Sequence, residues 1–250
     1  YIYLQDQRNP LNEYTLIVPS VAVGNVGQLS CDLLISSLSM VKIASVYSIA
    51  QIPVIGYDPY NLKSGCLSTS CEIYKSDSKK LCVLQLKSPL IFKYAKNFLE
   101  EVIETFKKKY VKDVIILSSS YAHEKKHILS SPFRYVISEG SSYAEKIRNA
   151  DIAKHEGDIG ELKIFGGGFA SLLYKICQEK NLPCLVLYKY CSEGDNIPDA
   201  YEMIKILINV YPLFSEEKDL FSQLKQPVSW TLLFGRPPPQ NQTDLFFPCL

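Results

Sequence analysis

Two glycine-rich turns are the first candidates for chemistry in this sequence. Gly24-x-x-Gly27 and Gly166–Gly168 each follow an apolar, strand-like run and precede a helix-like run. Backbone N–H groups at such a place in an α/β unit often hold a phosphate. The full G-x-G-x-x-G fingerprint and the G-x-x-x-x-G-K-[ST] loop are both absent, and no basic or nucleophilic residue stands at a telling spacing beside the second turn. We therefore interpret both as tight turns that need glycine for a positive φ or for close backbone packing.

A run of serines after an apolar strand is the second candidate. Ser118–Ser120 follow the apolar residues 114–117, and His123 comes three residues later. A hydrolase would need a nucleophile, an imidazole base and an orienting carboxylate, but the G-x-S-x-G elbow is missing. His123 and His127 have the i, i+4 spacing of two metal ligands on one helix face, yet their stretch has little apolar periodicity. We interpret the serines as capping and turning the strand end, and the histidines as an exposed surface pair.

An acidic segment between the last predicted strand and helix is the third candidate. Glu193, Asp195 and Asp199 could do acid–base work or bind a cation, but the calcium-loop pattern is not met. We interpret this segment as a turn in which Asp199 caps the following helix. The eight cysteines include no Cys-x-x-Cys pair, and no histidine lies beside Cys66 and Cys71, the nearest two. The sequence therefore predicts no catalytic residue, no cofactor-binding residue and no metal ligand.

The apolar runs that position these residues alternate between strand-like and helix-like periodicity. Continuous apolar strands after amphipathic helices are typical of a parallel sheet that is covered on both faces. The pattern predicts a single α/β domain with a mainly parallel sheet, a long loop over 53–70 and a polar surface excursion over 121–160. The predicted strands are 14–18, 42–49, 71–75, 81–86, 114–117, 162–165 and 184–190, and the predicted helices are 29–40, 93–110, 169–180 and 199–211.

Composition distinguishes the two ends of the chain from this domain. Residues 1–13 are predicted as an N-terminal lead-in, residues 14–235 as the α/β domain and residues 236–250 as a flexible Pro-rich tail. The formal net charge of +1 gives no field suited to nucleic acid, and no apolar stretch is long enough to span a membrane. Cysteines placed in apolar runs indicate free thiols and a reduced, cytosolic protein.

Six short sequence motifs occur along the chain, and none of them alone is diagnostic of a protein family. They are Val23–Leu29, Leu117–Ser120, Pro132–Tyr135, Gly166–Gly168, Ser192–Ala200 and Ser229–Gly235. In this order and with these gaps they resemble the proteasome assembly chaperone 2 family, and the resemblance runs from about residue 14 to residue 235.

The resemblance implies a three-layer α/β/α fold similar to that of nucleoside phosphorylases, but non-catalytic and without a cofactor. It implies a heterodimer with proteasome assembly chaperone 1 that binds proteasome α subunits, promotes α-ring assembly of the 20S proteasome and prevents off-pathway ring association. It also implies a location in the cytoplasm and the nucleus, with no nucleic acid or membrane as partner. The alternative is a nucleoside phosphorylase- or hydrolase-like enzyme, with an anion at the glycine-rich turns and Glu193 or Asp195 as its base.

The end of the chain becomes a binding candidate through this resemblance. Family members insert tails with a hydrophobic–Tyr–any ending between α subunits, which requires an apolar anchor and a terminal carboxylate. Here Cys249 stands where the tyrosine is expected, just before Leu250. Phe246, Phe247 and Leu250 are the candidate docking residues, and a tail without a role is the other interpretation.

Phe133-Arg134-Tyr135 is the second binding candidate. Aromatic residues and arginine are favoured at interface hot spots, which would suit contact with a partner protein. Local packing in the core explains the same three residues equally well. The chaperone hypothesis also predicts an exposed apolar patch for the partner, at a position that the sequence does not give.

Overall fold

The apolar runs of the sequence form the centre of a large sheet with helices on both sides. The structure is a computed structural model that describes residues 2–4, 11–127, 129–150, 152–157 and 162–232. The strands are β1 (Ile2–Leu4), β2 (Thr15–Pro19), β3 (Val41–Val46), β4 (Ile55–Tyr57), β5 (Leu67–Thr69), β6 (Cys71–Ser76), β7 (Leu81–Leu86), β8 (Asp113–Tyr121), β9 (Phe133–Ile137), β10 (Ala153–Lys154) and β11 (Cys184–Cys191). The helices are α1 (Val26–Ser37), α2 (Phe92–Lys108), α3 (Ala144–Asn149), α4 (Ala170–Glu179), α5 (Ile197–Val210) and α6 (Leu220–Gln223).

The main sheet has a parallel centre and mostly antiparallel flanks. Within the described residues it contains nine strands, in the order β1-β3-β6-β7-β2-β8-β11-β9-β10. The central block β7-β2-β8-β11 is parallel throughout, with Ile17 opposite Val83 on one side and Ile115 on the other. Outside this block, only β9 and β10 pair in parallel among the described strands of the sheet. The predicted α/β fold, built around parallel strands, is therefore confirmed.

Alternate side chains of the central strands pack into two separate cores. On β2, Leu16 and Val18 lie in the core that includes residues of α2 and α4. Ile17, between them, lies in the core that includes residues of α1 and α5. Strands buried on both faces need apolar side chains at every position, which is why they appear as continuous apolar runs in the sequence. The result is the three-layer α/β/α arrangement that the resemblance implied.

The predicted surface excursion over 121–160 is wrong, because it contributes two strands to the sheet. β9 lies between β11 and β10, with Tyr135 opposite Leu187. Its pattern is interrupted by Arg134, whose guanidinium donates to the carbonyls of Ser131 and Phe133 over 2.6 and 2.8 Å. A buried cation with satisfied donors is far less costly than an isolated one. Hydropathy alone does not reveal the hydrogen bonds that compensate the charge of Arg134, so the sequence pattern does not predict β9.

Two other predicted elements differ from the structure. Residues 162–165 form no strand, and the carbonyl of Phe165 accepts from the N–H of Tyr121 over 3.3 Å at the end of β8. β2 pairs with β8 only as far as Leu117, so the segment lies beside the last residues of β8, but it is not assigned as a strand there. Conversely, the predicted loop over 53–70 contains the hairpin of β4 and β5, in which Tyr57 lies opposite Leu67.

The two ends of the chain are only partly described. β1, within the predicted lead-in of residues 1–13, pairs antiparallel with β3. The candidate tail residues Phe246, Phe247 and Leu250 lie outside the described residues. The division of the chain into lead-in, domain and tail therefore stays a prediction.

Candidate functional site

The carboxyl ends of β2, β8 and β11 lie side by side, at the edge where parallel sheets usually bind their ligands. The buried serines at this edge donate their hydroxyls to backbone carbonyls. Ser20 Oγ and Ser118 Oγ both donate to the carbonyl of Gly167, over 2.7 and 3.1 Å. Ser120 Oγ donates to the carbonyl of Phe165 over 2.8 Å. These bonds tie the segment before α4 to the strand ends.

The predicted capping role of Ser118–Ser120 is wrong, because these residues continue β8. They remain in the strand because β11 pairs with β8 as far as Tyr121. The ring of His123 stacks on Tyr121 with 5.2 Å between the ring centroids, and its side chain is exposed. The serines are buried and held by carbonyls, so they form no nucleophile–base pair with this imidazole.

The glycine-rich turns pack against other parts of the chain. Gly24 has a φ of 63°, and a Cβ placed there would lie 2.5 Å from Asn196 Cγ. Gly168 has a φ of 59°, and its Cβ would lie 2.2 Å from the carbonyl oxygen of Val21. The interpretation of both segments as tight, closely packed turns is therefore confirmed.

Asp199, the last residue of the acidic segment, pairs with a buried lysine. Lys189 is only 6% exposed, and its Nζ contacts Asp199 and lies 2.9 Å from Glu202 Oε2. Burial acts to lower the pKa of Lys189, but the hydrogen bonds to Asp199 and Glu202 outweigh it and leave the pKa raised. The prediction that Asp199 caps α5 is wrong, since Asn196 is the N-cap residue and Asp199 lies inside the helix. Its carboxylate is needed to compensate the lysine.

The histidine pair does not assemble a metal site. His123 Nε2 lies 3.6 Å from Glu124, whereas His127 Nε2 lies 3.6 Å from Glu156, so the two rings have different partners. Within the described ranges, no group of three His, Cys, Asp or Glu is arranged to hold a metal ion. The cysteines there are free thiols, and of these only Cys66 is exposed. In the same part of the chain, no helix is both long and apolar enough to cross a membrane.

The predicted binding motif Phe133-Arg134-Tyr135 lies in β9. All three residues are buried within this chain, with Arg134 only 2% exposed. The Arg134 guanidinium lies over the ring of Tyr190, 5.5 Å from its centroid, and 3.7 Å from the carboxylate of Glu156. Packing inside the monomer accounts for the motif, and a role in partner contact stays a prediction.

A surface of large apolar side chains is exposed on and beside the β4–β5 hairpin, and we refer to it as the hairpin surface. Ile91 N donates to the carbonyl of Ala50 over 2.7 Å, which places the start of α2 beside the chain that leads into β4. The exposed fraction is highest for Phe92, at 96%, and is about 70% for Ile55. The hairpin surface consists of Ile49, Ile52, Val54, Ile55, Tyr57, Leu67, Ile91 and Phe92.

A buried carboxylate holds the hairpin against the sheet. Glu72 on β6 accepts from Ser68 Oγ over 2.7 Å and from the N–H of Thr69 over 3.1 Å. It also pairs with Lys87 and with Lys42, the latter over 3.0 Å. Burial acts to raise the pKa of Glu72, but Lys87 and these hydrogen bonds outweigh it and lower the pKa to about 2. The anchored hairpin presents a fixed surface.

Sequence reasoning did not locate this surface, although the sequence contains a signal for it. Between Lys42 and Asp58 there is no charged residue, yet the sequence predicts a strand over 42–49 and a loop from residue 53. A long uncharged stretch is normal in a buried strand, so the stretch becomes informative only once the residues are seen to be exposed.

The fold defines a class of three-layer α/β proteins in which the glycine-rich turns beside the central strands pack against other parts of the chain. The model of the PAC2 family matches residues 16–226. This chain belongs to the PAC2 family.

Relatives with a defined role lie close to this chain in sequence. It is 37% identical over 242 residues to proteasome assembly chaperone 2 of Homo sapiens, covering 89% of this chain and 92% of the relative. It is 35% identical over 243 residues to proteasome assembly chaperone 2 of Xenopus tropicalis, covering 90% of this chain and 92% of the relative. The match therefore extends over nearly the full length of both proteins.

Solved structures show the same fold at low sequence identity. Pyrococcus furiosus PbaB, an archaeal proteasome activator, matches with a TM-score of 0.67 and 14% identity, over 89% of this chain and 92% of that one. Pyrococcus furiosus PbaA, an archaeal homologue of proteasome-assembly chaperone, matches with a TM-score of 0.66 and 16% identity, over 89% and 91%. At this identity, the likeness establishes the fold alone.

Proposed function

We propose that this chain is a proteasome assembly chaperone that acts by binding other proteins and catalyses no reaction. In this proposal it forms a heterodimer with proteasome assembly chaperone 1. The heterodimer binds α subunits, promotes formation of the α ring of the 20S proteasome and prevents off-pathway ring association, in the cytoplasm and the nucleus.

The observation that carries the proposal is the sequence match to relatives that are each named proteasome assembly chaperone 2. About 90% of this chain aligns with proteasome assembly chaperone 2 of Xenopus tropicalis at 35% identity. At the strand ends, Asn196 packs against Gly24 and serine hydroxyls donate to backbone carbonyls, which supports a structural role for this edge. The large exposed apolar area of the hairpin surface also favours protein binding, because monomeric proteins seldom expose one of this size.

Co-expression with proteasome assembly chaperone 1 tests the proposal directly. Size exclusion and native mass spectrometry should show a one-to-one complex, and that complex should capture added proteasome α subunits. A protein that stays alone in the presence of chaperone 1 and ignores α subunits would overturn the proposal.

The tail is the part of the proposal that can be tested separately. We propose that Phe246, Phe247 and Leu250 act as anchors for α subunits. Removal of residues 236–250 should leave the heterodimer intact and weaken its capture of α subunits. Unchanged capture would show that the tail has no role in docking.

A further inference from the structure

We propose that the hairpin surface is the place where the partner chaperone docks, and that its occupant is proteasome assembly chaperone 1, which stays bound. This inference rests on the proposed function, which supplies the partner but not the site on this chain. It commits to a permanent partner, as distinct from the proteasome α subunits that the heterodimer binds.

The size of the hairpin surface matches one side of a stable protein interface. Its side chains are between 41% and 96% exposed. Tyr57 and Phe92 can each bury roughly 150–250 Å², and with the six smaller aliphatic side chains the exposed parts of these residues together present on the order of 1,000 Å². The largest apolar patch of a typical monomer is about 300–600 Å², and a standard interface buries about 800 Å² on each partner. The surface is therefore large enough for a stable dimer.

The chemistry of the surface favours a permanent partner over a transient one. No charged residue occurs between Lys42 and Asp58, the segment that supplies most of the surface. Interfaces of obligate complexes are more apolar than those of complexes that dissociate, and their centres are depleted of charged residues. A subunit that is bound and later released would be better served by a more polar contact. A second chain that shields the surface throughout the life of the complex fits better.

The hairpin is also built to present one face outward. On β4 and β5, Ile55, Tyr57 and Leu67 share one face, because Tyr57 lies opposite Leu67 and Ile55 is two residues away. Ser68 belongs to the other face and is buried, where its hydroxyl donates to Glu72 over 2.7 Å. A two-stranded hairpin alone is marginally stable in water, so this anchoring is what keeps the outward face in place. A surface held in its bound shape loses less conformational entropy on association.

Three single substitutions test the inference in the full chain. Phe92→Asp is the sharpest, because Phe92 is the first residue of α2 and an acidic residue in the first turn suits the helix dipole. The variant should therefore fold, yet would place a charge in the interface. Ile55→Asp makes the same change on the hairpin. Leu129→Asp is the matched control, because Leu129 is fully exposed and is not part of the hairpin surface.

Each variant is co-expressed with proteasome assembly chaperone 1, and the heterodimer affinity is then measured. Phe92→Asp and Ile55→Asp should weaken the heterodimer by about 30-fold or more, as expected at the centre of an interface, while Leu129→Asp should change it by less than about threefold. Circular dichroism establishes that each variant is folded.

The outcomes separate this inference from the proposed function. If the unaltered chain forms the heterodimer and both surface variants form it equally well, the inference is overturned and the proposed function stands. If the variants form the heterodimer but no longer capture α subunits, the hairpin surface binds α subunits instead of the partner chaperone. The inference is then overturned as well. If the unaltered chain does not pair with chaperone 1 at all, both fail together.

Discussion

The side chain of Asn196 occupies the space that a Cβ atom on Gly24 would need, with only 2.5 Å between that atom and Asn196 Cγ. Asn196 is itself held in place, since its Nδ2 donates to Asp199 Oδ2 over 2.6 Å and to the carbonyl of Ser192 over 2.9 Å. The turn after β2 therefore packs directly on the turn before α5. This contact lies near the carboxyl edge of the parallel strands, where α/β sheets usually bind ligands.

Gly24→Ala should destabilise the protein, because the added methyl group meets Asn196 and the residue has a φ of 63°. A non-glycine residue in this backbone region costs about 1–3 kcal/mol, and the overlap with Asn196 adds to that cost. Urea denaturation measures the loss. The matched control is Gly56→Ala, where a Cβ would meet nothing within 4 Å. Equal stability of the two variants would contradict the close packing at Gly24.

Phosphate and nucleosides should not stabilise the protein. A ligand that binds the folded state raises its stability by RT ln(1 + [L]/Kd), so even a weak site would be detected at millimolar ligand. Gly24 packs against Asn196 and Gly168 against the carbonyl of Val21, so we interpret these turns as structural and expect no anion to bind there. Thermal unfolding with millimolar phosphate, compared with chloride at equal ionic strength, should show no shift. A phosphate-specific rise of several degrees would support the enzyme alternative.

The central fold could be predicted from the sequence because alternate side chains of each central strand are buried in the two cores on either side of the sheet. Leu16, Ile17 and Val18 are all fully buried, so the run is continuously apolar and easy to recognise. β9 could not be predicted in the same way, since Arg134 interrupts its pattern. Arg134 can be buried because its guanidinium donates to the carbonyls of Ser131 and Phe133, and a hydropathy pattern gives no information on such contacts.

For the candidate site, the sequence indicated which catalytic motifs are missing but not which residues pack together. The lack of a lysine or nucleophile beside the glycine-rich turns was visible in the sequence, but the partner of Gly24 was not, since Asn196 is distant along the chain. The role of Asp199 was assigned wrongly for a similar reason. A cap is a local feature, whereas its ion pair with Lys189 joins α5 to β11 and depends on the tertiary fold.

The two acidic partners of Lys189 should contribute unequally to stability. Asp199 is 21% exposed and Glu202 is 55% exposed, so the Asp199 pair is the better shielded from water. Asp199→Asn should cost about 2 kcal/mol, because it leaves a buried lysine with less compensation. Glu202→Gln, the matched control, should cost less than about 1 kcal/mol, as exposed pairs do. Urea denaturation at pH 7 measures the free energy of unfolding of both variants. Equal losses of stability would contradict the difference in shielding between Asp199 and Glu202.

Glu72 should make stability depend on pH in the acid range. Its pKa is lowered from 4.5 to about 2 in the folded protein, so the unfolded chain takes up a proton first as the pH falls. The stability that Glu72 contributes is therefore fully present above about pH 4.5 and is lost as the pH falls towards 2. With allowance for the partly exposed lysines, this contribution is about 2 kcal/mol.

Glu72→Gln should therefore lower the free energy of unfolding at pH 7 by about 2 kcal/mol, since it removes the negative charge between Lys42 and Lys87. The difference from the unaltered protein should narrow steadily between pH 4.5 and pH 2, because protonation removes the same charge from the unaltered protein. Glu216→Gln, at an exposed position, is the matched control and should have little effect at either pH. Urea denaturation across this range measures the difference, and a gap that stays constant down to pH 2 would show that the ion pairs of Glu72 do not stabilise the hairpin.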